Sequence, residues 1–234
     1  MTTLVLVLSS VVTSTEDLTF GHQSFPNLVP VMQTLRRRAY RSYWARQIEV
    51  PQKYWIIGEW ESASALDSFL ASSEYIAGVL DPLKLISEVQ FILRCPASLS
   101  CVFWEARLEI VLAYFPADLS EETYQAVDEL RGIHPQLPRT TAGAIKPQSL
   151  ICQSKGWAVD PVLWHGHNQR IFVVFRVWED QEKERYYKAN ERLRTEQGLE
   201  LVVDAFEAGL RRHSMVGCES AHGSIQPIYF NDVL

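Results

Sequence analysis

Histidine exchanges protons near neutral pH, so the six histidines of this 234-residue chain are the first candidates for chemistry. His213 follows the apolar stripe Phe206–Leu210 at helical spacing, so it can face inward and move a proton. It can equally cap the C-terminus of that helix, which is the favoured interpretation. His22 and His134 lie in predicted loops, and His222 lies in the last predicted strand without an evident partner.

A second histidine pattern is the pair His165 and His167 in the segment Trp164-His-Gly-His-Asn168. Two histidines can hold a metal, but no acidic or cysteine partner is spaced to complete the site. We therefore predict two surface-loop histidines and no metal site. The chain also contains no nucleophile-elbow, P-loop, dinucleotide-binding or H-E-x-x-H pattern.

Arg176 is the remaining candidate, because strand alternation places it on the same face as Trp178, as Gly58 lies on the face of Trp60. The glycine leaves room, which a ligand could fill. A buried arginine needs an anion. That anion is an acidic residue on a helix, the favoured alternative, or a phenolate or carboxylate of a ligand. The second half thus has an arginine where the first half has a glycine, which indicates that the two halves no longer share one role.

These residues belong to a segment that occurs twice, at 53–62 and at 170–180. Trp178 follows Trp60 by 118 positions (178 − 60), and the same offset places Tyr187 on Phe69. Such self-similarity predicts one supersecondary unit used twice. We place the two repeats at residues 1–99 and 100–234.

Hydrophobic patterning gives both repeats the order β-α-β-β-α-β. In the first, the predicted elements are a strand at 4–13, a helix from Pro26, a hairpin of 39–50 with 54–60, a helix capped by Ser62 or Ser64 and broken or kinked at Pro82, and a strand at 89–95. That helix has a predicted buried stripe of Leu66, Phe69, Leu70, Ile76, Val79 and Leu80. In the second, they are a strand at 108–115, a helix capped by Asp118 or Ser120, a loop at 134–148, strands at 150–158 and 170–178, a charged helix at 182–194, a further helix to about Leu210, and a strand at 216–230.

Helices cover only one face of such a sheet, and the other face is apolar. Two copies on one chain can bury these faces against each other. The predicted fold class is therefore α+β, with two ferredoxin-like repeats forming an intramolecular pseudo-dimeric α/β barrel.

Composition excludes several classes of function. A net charge of −6 and a pI near 5.6 argue against a nucleic-acid-binding surface. No segment reaches the roughly 18 apolar residues of a membrane span, and the apolar N-terminus resembles a strand more than a signal peptide. Four cysteines without C-x-x-C spacing indicate a reducing, cytoplasmic environment, although a bridge between Cys95 and Cys101 is conceivable.

The segment Gly58-Glu-Trp60-Glu-Ser62-Ala-Ser-Ala65, followed by Phe69, resembles the dimeric α/β-barrel group. More narrowly, it is similar to the antibiotic-biosynthesis-monooxygenase type and its tandem versions in filamentous fungi. Members of this group include cofactor-free oxygenases of phenolic polyketides, haem-degrading enzymes, decarboxylases, cyclases and proteins with no known reaction. The resemblance therefore implies a fold rather than one reaction.

The resemblance also implies roles for individual residues. Trp60 and Trp178 match a tryptophan that lines the ligand pocket in some oxygenases, although each can equally be a core residue. Haem-degrading members place a histidine ten or eleven residues after it. Leu70, Ala71, Lys188 and Ala189 stand there in this chain and cannot bind iron.

We therefore predict a monomeric enzyme of specialised aromatic or polyketide metabolism, acting on an apolar small molecule without an organic cofactor or a metal. Arg176 would stabilise an anion and His213 would move protons. The predicted substrate-binding residues are Trp60, Trp178, Gly58, Phe69 and Tyr187. The reaction is an oxygenation, cyclisation, isomerisation or decarboxylation. Two alternatives are a non-catalytic ligand-binding or stress-associated barrel, and a structural tandem domain with collapsed pockets.

Overall fold

The computed structural model describes residues 1–10, 28–84, 87–96, 106–130, 140–141, 144–145, 150–195 and 198–227. The chain divides into two units, Met1–Ser98 with Ile225–Leu234, and Leu99–Ser224. None of the helices in these ranges is long and apolar enough to cross a membrane.

The first unit contains an antiparallel sheet with strand order β4-β1-β3-β2. Its elements are β1 (Thr2–Ser10), α1 (Leu28–Arg38), β2 (Arg41–Gln47), β3 (Lys53–Trp60), α2 (Ala63–Leu70), α3 (Ser73–Tyr75), a π-helical turn (Ile76–Leu80), α4 (Asp81–Lys84) and β4 (Ser87–Cys95). The predicted hairpin and closing strand are confirmed. The predicted start of the first helix at Pro26 lies outside the described residues.

The helical segment after β3 departs from the prediction at two positions. Ser62 caps α2, as predicted, by accepting a hydrogen bond from the Ala65 amide. The break predicted as one alternative at Pro82 is absent, because α4 continues through this residue after a π-helical turn, and the kink stays a prediction. Helix α2 ends at Leu70 and α3 starts anew at Ser73 with Ser72 as its cap, so the helical phase changes there and Ile76, predicted to be buried, is 49% exposed.

The second unit repeats this topology, with strand order β13-β5-β10-β8 and β9 paired to β10. Its elements are β5 (Arg107–Pro116), α5 (Glu121–Glu129), β6 (Thr140–Thr141), β7 (Ala144–Ile145), β8 (Leu150–Trp157), β9 (Val162–Trp164), β10 (His167–Trp178), α6 (Gln181–Asn190), β11 (Arg192–Thr195), β12 (Gly198–Leu201), α7 (Val202–Arg212) and β13 (Gly217–Pro227). In both units the order across the sheet is fourth strand, first strand, third strand and second strand, counting the main strands of each unit along the chain. The predicted duplication is therefore present in the strand order.

Two predictions for the second unit need correction. The interval predicted as a loop at 134–148 contains the paired strands β6 and β7. The charged helix predicted to reach Arg194 ends at Asn190, and a hairpin of β11 and β12 follows it. Cys95 forms no disulfide, which excludes the conceivable bridge to Cys101, whereas Cys152 is disulfide-bonded.

In each unit the helices pack on one face of the sheet. The first core contains Leu4, Leu6, Ile56, Trp60, Leu66, Phe69 and Val79. The second contains Val111, Phe115, Trp157, Phe172, Val174 and Phe206, with Trp178 and Tyr187 in an adjoining cluster. In the second unit this helix-covered face also carries polar groups.

Candidate functional site

A row of polar residues crosses the sheet of the second unit. His222 on β13 lies opposite Glu109 on β5, Glu109 lies opposite Arg176 on β10, and Arg176 lies opposite Gln153 on β8. Directly opposed residues point to the same side of a sheet. Their shared face is the one that packs against the helices.

Helix α6 adds two charged side chains to this row. Asp180 caps the helix by accepting a hydrogen bond from the Lys183 amide, which fixes where its first turn begins. Glu184 and Lys188 lie one turn apart and therefore on the same face. With Arg107 on β5 they complete a group that we call the ionic cluster, which consists of Arg107, Glu109, Arg176, Glu184, Lys188 and His222.

Glu184 receives hydrogen bonds at both carboxylate oxygens. Lys188 Nζ lies 2.6 Å and His222 Nε2 2.8 Å from Oε1, while Arg107 Nε lies 2.5 Å from Oε2. The side chain is 5% exposed. Burial alone would raise the pKa of Glu184, but these donors lower it to about 2.

Glu109 is bound in the same way on the sheet. Its Oε1 lies 2.8 Å from Lys188 Nζ, and its Oε2 accepts from Trp178 Nε1 at 3.0 Å and Arg176 Nη1 at 3.4 Å. Burial opposes ionisation, yet Arg176 and Lys188 keep the pKa of Glu109 below its usual value. Arg176 also donates to Gln153 Oε1 at 3.2 Å. The carboxylate of Glu109 therefore neutralises Arg176. An acidic residue of the protein was the favoured alternative, but it lies on a strand and not, as predicted, on a helix.

Aromatic rings surround the ionic cluster. The rings of Trp178 and Tyr187 meet edge to face with centroids 5.4 Å apart. Lys188 Nζ lies 5.5 Å from the Trp178 ring, and the Arg176 guanidinium lies 5.5 Å from the Phe206 ring. These distances are within the range of cation–π attraction. The cluster is therefore charged at its centre and aromatic around it.

The first unit has apolar residues at the equivalent positions. The offset of 118 relates Leu66 to Glu184 and Leu70 to Lys188. Strand register relates the pair Leu4 and Gly58 to Glu109 and Arg176. Four positions that build an ordinary core in one unit thus build the ionic cluster in the other.

The predicted binding residues of the first unit pack against one another. Trp60 stacks on Phe69 with ring centroids 5.4 Å apart, as Trp178 contacts Tyr187 in the second unit. A Cβ atom on Gly58 would lie 2.6 Å from the Trp60 ring, so the indole itself fills the room that the glycine leaves. The binding role of these residues stays a prediction.

The two predicted catalytic residues are placed differently. Arg176 belongs to the ionic cluster. His213 occupies the C-cap of α7, where its amide donates to the Leu210 carbonyl oxygen, and it lies outside the cluster. His165 and His167 are exposed in the β9–β10 hairpin, as predicted.

The ligand atoms of Glu109, Glu184 and His222 lie within 4.8 Å of one another, which is compatible with a bound metal. Lys188 Nζ contacts the Oε1 atoms of both carboxylates. The Lys188 ammonium therefore already supplies a cation at the oxygen atoms that would face a metal.

Sequence patterns missed five of the six members of the cluster. Glu184 and Lys188 lie in the segment predicted as a charged helix, which gave no sign that Glu184 is buried. The statement that His222 has no evident partner is wrong, because it hydrogen-bonds Glu184. Arg107 and Glu109 gave no signal of their own. Comparing Glu184 and Lys188 with the leucines at the repeat offset would have shown that both occupy a core-facing stripe.

Several solved structures share this fold. An anthrone oxidase-like protein matches with a TM-score of 0.57 and 10% identity, over 100% of this chain and 97% of the other. A candidate monooxygenase from Fusobacterium nucleatum matches at 0.54 and 7% identity, over 97% of this chain and 93% of the other. A candidate monooxygenase from Lactobacillus acidophilus matches at 0.51 and 8% identity, over 98% and 95%. The predicted α+β fold is thereby confirmed. No family model and no curated protein matches the sequence.

Proposed function

We propose that this chain is an enzyme of specialised aromatic metabolism that oxidises a small aromatic molecule at the ionic cluster. The observation that carries the proposal is the 2.8 Å hydrogen bond between His222 Nε2 and Glu184 Oε1. A carboxylate that binds one imidazole nitrogen orients the ring and stabilises the imidazolium formed when it takes up a proton. Trp178 and Tyr187 beside the cluster suit an aromatic substrate.

His222 is the proton acceptor in this proposal. Since the pKa of Glu184 is about 2, its carboxylate is a weak base at neutral pH. Burial raises the pKa of Tyr187 to about 12, so this phenol stays protonated. The imidazole is the nearby group whose ordinary pKa suits proton transfer.

The relative described as anthrone oxidase-like suggests the reaction to test. With anthrone, His222 would remove a proton from the ring methylene group. The resulting enolate would pass electrons to O₂, and the hydroperoxide formed at that carbon would lose water. One oxygen atom becomes the new carbonyl and the other leaves in water, so anthrone plus O₂ gives anthraquinone plus water. The substrate supplies all the electrons, and no organic cofactor enters the balance.

The finer predictions from the sequence belong to the same proposal. They are membership of the tandem fungal type, action as a monomer, and a polyketide-like substrate. Cyclisation, isomerisation or decarboxylation at the same groups would need proton transfer but no O₂.

A second candidate function is non-catalytic binding of a small ligand. The observation that favours it is that all four carboxylate oxygens of Glu109 and Glu184 already have donors within the protein. Such a network can serve to specify one structure.

The test is to incubate the purified protein with anthrone in air and under nitrogen, and to measure O₂ uptake and anthraquinone. We expect turnover in air alone, and a loss of at least a hundredfold in His222→Gln. His165→Asn is the matched control, since asparagine tolerates the positive φ of 47° at this exposed position. Metabolite profiling of a gene deletion would identify a further aromatic substrate. If the protein converts that compound equally in air and under nitrogen, the result favours cyclisation, isomerisation or decarboxylation. Binding without conversion would favour the second candidate.

If His213→Gln loses turnover while His222→Gln keeps it, the proton acceptor is His213, as the sequence predicts. That outcome would contradict the role proposed for the His222–Glu184 pair.

A further inference from the structure

The ionic cluster contains more hydrogen-bond donors than acceptors. Glu184 and Glu109 are the two carboxylates, and Arg107, Arg176 and Lys188 are the three permanent cations bound to them. Protonation of His222 would add a further positive charge. Within the hydrogen-bonded network the cations therefore outnumber the anions.

The unused donors nearest to solvent belong to the two more exposed of these cations, Lys188 and Arg107. An ammonium has three N–H donors, and Lys188 directs two of them to Glu109 and Glu184. A guanidinium has five, and Arg107 directs its Nε to Glu184. Among the residues that the structure describes, no acceptor is found for the remaining N–H groups of Lys188 and Arg107.

Exposure separates the charges by depth. The side chains of Glu109 and Glu184 are 2% and 5% exposed, whereas that of Lys188 is 28% exposed. Arg107 and His222 are each 13% exposed. A ligand approaching from solvent would therefore meet N–H donors first, with both carboxylates beneath them.

Buried aromatic rings lie next to the accessible ammonium of Lys188. Lys188 Nζ lies 5.5 Å from the ring of Trp178, which contacts Tyr187. Both aromatic side chains are buried. The accessible ammonium thus lies at the border of a buried aromatic region, and it suits a ligand that presents an ionised oxygen.

We infer that the ionic cluster is a binding site for an aromatic oxyanion, a phenolate or carboxylate, with Lys188 as its principal contact. This inference rests on the proposed function for the aromatic nature of the ligand. It adds that the ligand carries a negative charge, and that Lys188, rather than the more deeply buried Arg176, binds it.

The probe is 2-naphthoate, with the uncharged 2-naphthamide as its isostere, and the measurement is isothermal titration calorimetry under nitrogen. We expect the wild-type protein to bind 2-naphthoate at least tenfold more tightly than 2-naphthamide. Lys188→Met should remove that preference, and Lys188→Arg should keep most of it. Lys183→Met is the matched control, because Lys183 lies on the same helix and pairs with exposed Glu179.

Equal affinity for the two compounds, failure of the wild-type protein to bind 2-naphthoate, or an equal effect of Lys183→Met would each overturn the inference. Thermal unfolding of every variant separates loss of binding from loss of folding. Because no O₂ is present, failure of the oxidation leaves this test unaffected. Oxidation of neutral substrates without preference for the anion would overturn this inference alone.

Discussion

Glu184 is a buried carboxylate that stays ionised because three donors converge on it. A carboxyl group with a lowered pKa stabilises the folded state above its unfolded pKa, and this stabilisation is lost as the pH falls through the folded pKa. For Glu184 that window extends from about 4.5 down to about 2. Glu109 contributes in the same direction, since its pKa is also lowered.

We predict that Glu184→Gln lowers the free energy of unfolding by about 3 kcal/mol at pH 7, because it leaves Arg107 and Lys188 without a buried anion. The difference from wild type should shrink as the pH falls from about 4.5 towards 2. Urea unfolding at several pH values measures it. The control is Glu179→Gln, which removes an exposed ion pair with Lys183 and should cost less than about 1 kcal/mol. A difference independent of pH would contradict the assignment.

Gly58 and Trp60 are coupled residues of β3. The clash predicted for a Cβ atom at residue 58 is with the indole ring, at 2.6 Å. We therefore predict that Gly58→Ala destabilises the protein by about 1–3 kcal/mol. In a Trp60→Leu background the same change should be neutral or stabilising by up to about 1 kcal/mol, since alanine suits a strand better than glycine. A double-mutant cycle from chemical unfolding measures the coupling. Additive effects would show that the indole does not occupy this space.

At the scale of elements, helix α5 depends on a neighbouring strand for its C-terminal charge. The helix has no basic residue in its last turn. Lys155 on β8 supplies the cation by donating to the Asp128 carbonyl oxygen and, at 2.7 Å, to that of Leu130. Cations at this end of a helix interact favourably with its dipole. Burial lowers the pKa of Lys155, and the negative charge of the Asp128 carboxylate opposes this shift.

We predict that Lys155→Met destabilises the protein by about 2 kcal/mol, the usual contribution of hydrogen bonds to a charged donor. Hydrogen exchange should also increase in α5. Lys183→Met should cost less than about 1 kcal/mol, because that lysine makes only exposed ion pairs among the described residues. Equal costs for the two variants would refute the capping role.

Elements with strong periodicity were predictable, and elements set by local backbone geometry were not. The β2–β3 hairpin and the Ser62 and Ser120 caps follow from alternation and capping chemistry. The end of α6 was missed because Glu191 to Arg194 contains good helix formers. The structure instead has Glu191 in an extended conformation, with its carbonyl oxygen accepting from the Val202 amide.

At the scale of the whole molecule, the duplication was predictable because packing residues recur at a fixed offset. The ionic cluster was not, because Glu109, Arg176, Glu184 and His222 are distant in sequence and meet only through strand register and one helix face. A charged pair on a helix normally indicates a solvated face. Its occurrence where the other repeat has leucines shows that the helix-covered faces of the two units differ in charge.

The last prediction tests, with two related substitutions, whether the two units also differ in role. Trp60→Phe removes no hydrogen bond to a cluster residue, whereas Trp178→Phe removes a 3.0 Å hydrogen bond to Glu109. Each should lower the free energy of unfolding by about 1–3 kcal/mol, since both indoles are buried. In Trp178→Phe we also expect kcat for the proposed oxidation to fall about tenfold, because Glu109 loses a donor that holds it beside Lys188 and Arg176.

In Trp60→Phe we expect kcat per folded molecule to stay within twofold of the wild-type value. The measurement is O₂ uptake with anthrone, normalised to the folded fraction from circular dichroism. The equivalence of the two positions removes residue type, strand position and burial as explanations of a difference. If both variants lose kcat equally, the working site is not confined to the second unit, and if only Trp60→Phe does, it lies in the first.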